Sequence, residues 1–162
     1  MAEDDLASLS ERVLTACRSA RLRLAVAESC TGGLVLASLT AIPGASDVVE
    51  RGFVTYSNEA KSEMLGVPGA LIKAHGAVSE PVARAMAEGA LCHSPADVGI
   101  GVTGIAGPGG ATVEKPIGLV HIAAARKGRE TRHERHLFAG DRAAIRLAAA
   151  AAALALIGRQ LS

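Results

Sequence analysis

Three short stretches carry side chains whose types and spacing could do chemistry. In the first, Ser29-Cys30-Thr31-Gly32-Gly33, a glycine turn separates the apolar run Leu22–Ala27 from a helix-like stretch Leu34–Ala41. A strand entering a tight turn before a helix would present the Ser29 hydroxyl where backbone N–H groups and the helix dipole favour an oxyanion or a phosphate. The same spacing also suits a plain helix cap, because serine and threonine often occupy that position. The stretch is not the G-x-S-x-G elbow of the α/β-hydrolases, and no His–Asp pair is placed to serve it.

The second stretch runs from Tyr56 to Lys61. Tyr56 falls at the end of a strand-like segment, and Lys61 falls in the first turn of the next helix. A lysine there gains nothing from the dipole, and burial would lower its pKa toward that of a general base. A solvated helix lysine beside a half-buried tyrosine fits the spacing as well. The third stretch is Thr103-Gly104-Ile105-Ala106-Gly107-Pro108-Gly109-Gly110, whose glycines allow the backbone to approach a ligand closely. Read without a ligand, it is a long surface turn. Residues 99–104 match G-x-G-x-x-G, but the match falls inside an expected strand and no helix follows, so it is no dinucleotide fingerprint. The five histidines (75, 93, 121, 133 and 136) are scattered, and their spacing predicts neither a metal site nor a bound cofactor.

Composition narrows the choice. Among 162 residues there are one tyrosine, two phenylalanines and no tryptophan, while 49 % are hydrophobic. The core must therefore be aliphatic, and a platform of stacked aromatics for single-stranded nucleic acid is excluded. A net charge of +1 predicts no nucleic-acid or anionic-membrane partner. Cys17, Cys30 and Cys92 are odd in number and far apart, which points to a reducing, cytoplasmic setting rather than a disulfide framework. Residues 1–12 are acidic and polar, unlike a signal peptide. The longest apolar run, residues 143–157, is interrupted by Arg146 and is too short to span a bilayer.

The elements that must position these residues alternate. Helical spacing covers residues 4–20, followed by strand 22–27 and helix 34–41, which Pro43 and Gly44 stop. Residues 48–57 read as a strand. Asn58 then serves as the N-cap of a helix ending by Gly66, with residues 68–76 a loop or a short helical turn. Helix 79–92 has Pro81 in its first turn, and strand 97–102 follows it. Residues 117–125 and 131–138 form a β-hairpin turning at Gly128, and a final helix runs from Gly140-Asp141 to about Ile157. This order predicts one domain over residues 1–162. Its fold class is α/β: a three-layer α/β/α sandwich on a mixed, mostly parallel sheet of about five strands, one of them antiparallel.

Taken together, AESCTGG at 27–33, GFVTYSNEAK at 52–61, GVTGIAGPGG at 101–110, EKPIG at 114–118 and GDRAAIR at 140–146 closely resemble the CinA C-terminal domain family. This is the family of nicotinamide-nucleotide amidohydrolases. The resemblance runs from about residue 6 to 157 and implies a CinA-like α/β/α sandwich. It also implies hydrolysis of the carboxamide of nicotinamide mononucleotide to nicotinate mononucleotide and ammonia, in pyridine-nucleotide recycling. Many members carry a further N-terminal domain, for which this chain has no room, so it resembles the stand-alone form. By motif, Ser29 matches the family's nucleophile, and Tyr56 and Lys61 match its partners.

Around that set, the Cys30, Thr31, Gly32 and Gly33 amides are candidates for the oxyanion hole, by helix-terminus geometry. Thr103, Gly104 and Gly107 are candidates to line a small-molecule nucleotide. Arg142 either meets its phosphate or braces the last helix. Cys30 is the rival nucleophile. A non-catalytic nucleotide-binding or partner module is the alternative function, and phosphate-ester hydrolysis ranks last because no acidic cluster could hold its metal. The alanine-rich face of the last helix could pack on the sheet or on a second copy.

Overall fold

A computed structural model of the chain describes residues 3–162. It contains helices α1 (Glu3–Ala20), α2 (Leu34–Thr40), α3 (Asn58–Leu65), α4 (Gly69–His75), α5 (Glu80–Cys92) and α6 (Arg142–Leu161). The strands are β1 (Leu24–Glu28), β2 (Val49–Val54), β3 (Val98–Gly104), β4 (Leu119–Arg126) and β5 (Arg132–Leu137). They form one sheet in the order β2-β1-β3-β4-β5. β1 pairs in parallel with both β2 and β3, whereas β4 runs antiparallel to β3 and to β5. The hairpin thus supplies the one reversed strand, as the element order predicts.

Period-two alternation along the central strands builds two unlike faces. Leu24, Val26, Val98, Ile100 and Val102 join α1, α2 and α6 in the larger core. The opposite face carries Ala25, Ala27, Gly99 and Gly101 and receives α5. A Cβ on Gly101 would stand 2.6 Å from the Ala83 carbonyl, so only a glycine surface lets α5 approach this closely. Small side chains at the contact replace bulky ones, which is how a core almost without aromatic rings is closed.

Several boundaries differ from those read in the sequence. Ser57, not Asn58, caps α3: its hydroxyl accepts the Ala60 N–H at 3.0 Å. Residues 69–75 form the distinct helix α4. The last helix continues to Leu161, where Arg126 donates to the carbonyls of Gln160 and Leu161 and satisfies groups that a helix end leaves free. At 20 residues α6 is long and apolar enough to cross a membrane, unlike the shorter run counted in the sequence. Here it is a core helix, with Ile145, Ala149, Ala150, Ala153, Leu154 and Ile157 buried against the sheet and α1.

Candidate active site

β1 and β3 run side by side and end together, and the turns that follow them form one cleft. Ser29 continues β1, its N–H donating to the Val102 carbonyl at 3.0 Å. The next residues turn sharply, with Gly32 and Gly33 at φ of 59° and 107°, before α2 begins. Neither Ser29 nor Thr31 caps that helix. The carboxylate of Glu28, itself 1 % exposed, accepts the Val35 N–H at 2.9 Å and the Leu36 N–H at 3.1 Å. Glu28 thus does the capping that the sequence offered to Ser29 and leaves the Ser29 hydroxyl free for another partner.

That partner is Lys61, whose Nζ lies 3.0 Å from Ser29 Oγ. Nζ also donates to the carbonyls of Thr55 at 2.8 Å and Tyr56 at 3.3 Å. Thr55 is in turn fixed to β1, its N–H donating to the Glu28 carbonyl at 2.8 Å. Lys61 is 1 % exposed and, among the described residues, has no ion-pair partner. Burial therefore lowers its pKa from the ordinary lysine value, against a smaller opposing influence of Cys30. A neutral amine has two N–H donors and one lone pair. The two carbonyls take the donors, and the lone pair is left for the Ser29 hydroxyl.

Cys30 is also buried, and burial pushes its thiol up to about 11. A thiol that holds its proton at neutral pH is a poor nucleophile, so the environment separates the two neighbours in favour of the serine.

The cleft has a volume of about 230 Å³, and its lining includes Ser29, Cys30, Tyr56, Lys61, Thr103 and Arg142. Gly104 and Gly107 also line it. Tyr56 is no core residue: it is 61 % exposed, and its hydroxyl accepts from Arg142 Nη2 at 3.1 Å. Arg142 Nη1 donates to the Gly107 carbonyl at 2.8 Å, so this one side chain ties the tyrosine lip to the glycine loop. The Thr103 hydroxyl is buried and donates to the Ala77 carbonyl at 2.9 Å. Asn58, read in the sequence as a helix cap, also lines the cleft, and Ala77 and Val78 add wall for which the sequence offered no signal.

Three expected site residues do not line the cleft: Thr31, Gly32 and Gly33. The Gly32 N–H is already given to the Ser29 carbonyl at 3.0 Å, so it is not a free oxyanion donor. The Cys30 and Thr31 amides donate to no group among the described residues. Larger concavities exist, including one of about 500 Å³ around Arg84, Arg129, Arg132 and Arg159 near the start of β5. Size does not pick out the chemistry, since no serine, cysteine or lysine lines that concavity.

The molecule is an α/β/α sandwich whose sheet ends present a serine hydroxyl against a buried, unpaired lysine amine. By sequence, the chain belongs to the CinA C-terminal domain family, whose profile it matches over residues 6–161. It is 54 % identical over 149 residues to a CinA-like protein of Akkermansia muciniphila, a match covering 92 % of this chain and 36 % of that relative. A CinA-like protein of Gemmatimonas aurantiaca is 53 % identical over 152 residues, covering 94 % and 35 %. The chain thus spans about a third of the length of these curated relatives. Among solved structures, the competence/damage inducible protein CihA from Agrobacterium tumefaciens superposes with a TM-score of 0.94 at 45 % identity, covering 97 % of this chain and 95 % of that one. A CinA superfamily protein from Klebsiella pneumoniae gives 0.92 at 36 % identity, covering 96 % and 97 %.

Proposed function

We propose that this chain is an amidohydrolase that uses Ser29 as nucleophile and Lys61 as general base, with nicotinamide mononucleotide as substrate. The observation that carries the reading is the 3.0 Å approach of a buried, unpaired lysine amine to a serine hydroxyl. The mononucleotide and its carboxamide come from the family resemblance, and the pair supports acyl transfer through a serine.

In this reading, neutral Lys61 takes the Ser29 proton as Oγ attacks the carboxamide carbon. The tetrahedral oxyanion meets the free Cys30 amide that follows the nucleophile. Collapse breaks the C–N bond, and the Lys61 ammonium returns the proton so that ammonia departs. Water then attacks the acyl-enzyme with Lys61 again as base, releasing the carboxylate and regenerating Ser29. No histidine is required. Tyr56 and Arg142 stand at the cleft mouth, where a guanidinium suits an anionic group of the nucleotide.

The test is ammonia release from nicotinamide mononucleotide in the presence of a chelator. Turnover that a Lys61→Ala variant lacks supports the reading. No release above that variant sinks it and leaves a non-catalytic nucleotide-binding module. Hydrolysis of a phosphate ester that stops on adding chelator would favour metal-dependent chemistry instead.

A further inference from the structure

Arg146, in the second turn of α6, interrupts an otherwise apolar stretch, and the steps above give it no role. Its guanidinium does not reach solvent-side carboxylates but turns toward the nucleophile turn. Nε donates to the Cys30 carbonyl at 3.2 Å, and Nη2 donates to the Thr31 carbonyl at 2.9 Å. These bonds join residues 116 and 115 positions apart in the chain. Gly32 makes room for the contact, since a Cβ there would stand 3.3 Å from Nη2.

The consequence follows from peptide geometry. In a trans peptide the C=O and the following N–H point to opposite sides. Two successive carbonyls held toward α6 therefore turn the Thr31 and Gly32 amides away from it. The Gly32 N–H closes the turn on the Ser29 carbonyl, and the Thr31 N–H has no partner among the described residues. A cation on a carbonyl also polarises its peptide, which makes the attached N–H a stronger donor. On the other side of the turn, the Leu34 N–H donates to the Thr31 carbonyl and Glu28 accepts the Val35 and Leu36 amides of α2. The backbone after the nucleophile is thus gripped between a guanidinium on its carbonyls and a carboxylate beyond it.

We propose that Arg146 is a positioning residue for the nucleophile turn, holding the Cys30 and Thr31 peptides so that Ser29 and the Cys30 amide keep the place from which they serve the reacting carbonyl. This rests on the Ser29 reading above.

The test uses the full chain with Arg146→Met, Arg146→Lys and, as a control on the same helix, Arg159→Met. Three quantities are read: kcat and KM on nicotinamide mononucleotide, the rate of Ser29 phosphonylation by a small fluorophosphonate, and Tm. In phosphonylation the Ser29 oxygen bonds to phosphorus, fluoride leaves, and the phosphoryl oxygen occupies the oxyanion position. Loss of an oxyanion donor costs on the order of 100-fold in kcat, so Arg146→Met should fall by about that factor with KM nearly unchanged. Phosphonylation should slow in parallel, Arg159→Met should stay at wild-type rates, and added guanidinium ion should restore part of the lost rate.

A folded Arg146→Met variant within about threefold of wild type in both rates, or a loss that tracks Tm and resists guanidinium, overturns the proposal. If Arg146→Met does not fold, Arg146→Lys decides. It keeps the charge but lacks the fork, so a loss of about tenfold at unchanged KM supports the role and an unchanged kcat overturns it. Wild-type protein that is phosphonylated at Ser29 yet releases no ammonia would sink the substrate assignment alone, leaving Arg146 to be judged on phosphonylation. Wild-type protein that resists phosphonylation overturns both.

Discussion

Lys61 Nζ stands 3.0 Å from Ser29 Oγ, across 32 residues of chain, with the Thr55 and Tyr56 carbonyls on its remaining donors. Helix α3 delivers the lysine from one side and the end of β1 delivers the serine from the other. Neither segment could place the pair alone.

The first prediction concerns which neighbour attacks. Ser29→Ala should lose at least about three orders of magnitude in turnover, as removal of an activated nucleophile does. Cys30→Ala should retain most of it, because a thiol held at about 11 contributes wall rather than thiolate. The check is kcat for both variants, with thermal melts showing that each is folded.

Lys61 should reveal itself in two pH profiles. Its lowered pKa means that the folded chain favours the neutral amine while the unfolded chain holds the proton. Stability should therefore rise with pH through the alkaline range, up to the ordinary lysine value of 10.5. Turnover should rise with the same deprotonation, at a pH below that ordinary value. Lys61→Met should abolish turnover, flatten the stability slope and raise Tm at neutral pH, by about 2–4 °C for each kcal/mol relieved.

Tyr56→Phe keeps the exposed ring and removes only the hydroxyl that Arg142 contacts. The expected result is a clear loss of activity with Tm changed by no more than a degree or so, since surface changes stay within about 0.5 kcal/mol. Equal losses in both would return Tyr56 to a structural role. Measuring kcat and KM beside the melt separates these outcomes.

Glu28→Gln tests the cap behind Ser29. It replaces one acceptor oxygen with an N–H₂ facing a backbone N–H, and bonds to a charged group are worth about 1.5–3 kcal/mol. A destabilisation of that size in urea unfolding is expected. Unchanged stability would show that α2 does not depend on the carboxylate.

An acid-side prediction comes from β4, where His121 pairs with Thr103 of the neighbouring strand. His121 Nδ1 lies 2.9 Å from His133 Nε2, and His133 Nδ1 lies 3.2 Å from Glu80 Oε1. Burial first, then the neighbouring His133, lowers His121 to about 4 from 6.5. The unfolded chain therefore takes up this proton before the folded one does. Stability should decline as pH falls from 6.5 toward 4, and His121→Asn should remove much of that decline. Denaturation midpoints measured across that range decide it.

How far the sequence reached is clearest in particular residues. Ser29, Tyr56, Lys61, Thr103, Gly104, Gly107 and Arg142 were all legible as candidates, because their types recur in recognisable local strings. The structure brings every one of them, with Cys30, to a single cleft. Thr31, Gly32 and Gly33 were legible only as a turn, and whether a turn amide is free depends on bonds such as that from Gly32 to Ser29. Glu28 gave no sign of its role, since a glutamate ending a strand has the same letter whether it faces water or caps a buried helix. Arg146 looked like an interruption of an apolar run, and its two acceptors lie more than a hundred residues away.

The alternation of short apolar runs with helical periodicity determined the layers, the five strands and the reversed hairpin strand, because those follow from local spacing and turn chemistry. The shortage of aromatic rings already required a core of small aliphatic side chains. Only the tertiary structure decided what those layers do to charge. Packing α3 against α5 and α4 buries Lys61 without an anion, its amine among the residues that follow β1 and β2, and α6 carries Arg146 onto the turn after Ser29. Desolvation and hydrogen-bond direction are properties of a three-dimensional surrounding. No spacing within one segment encodes them.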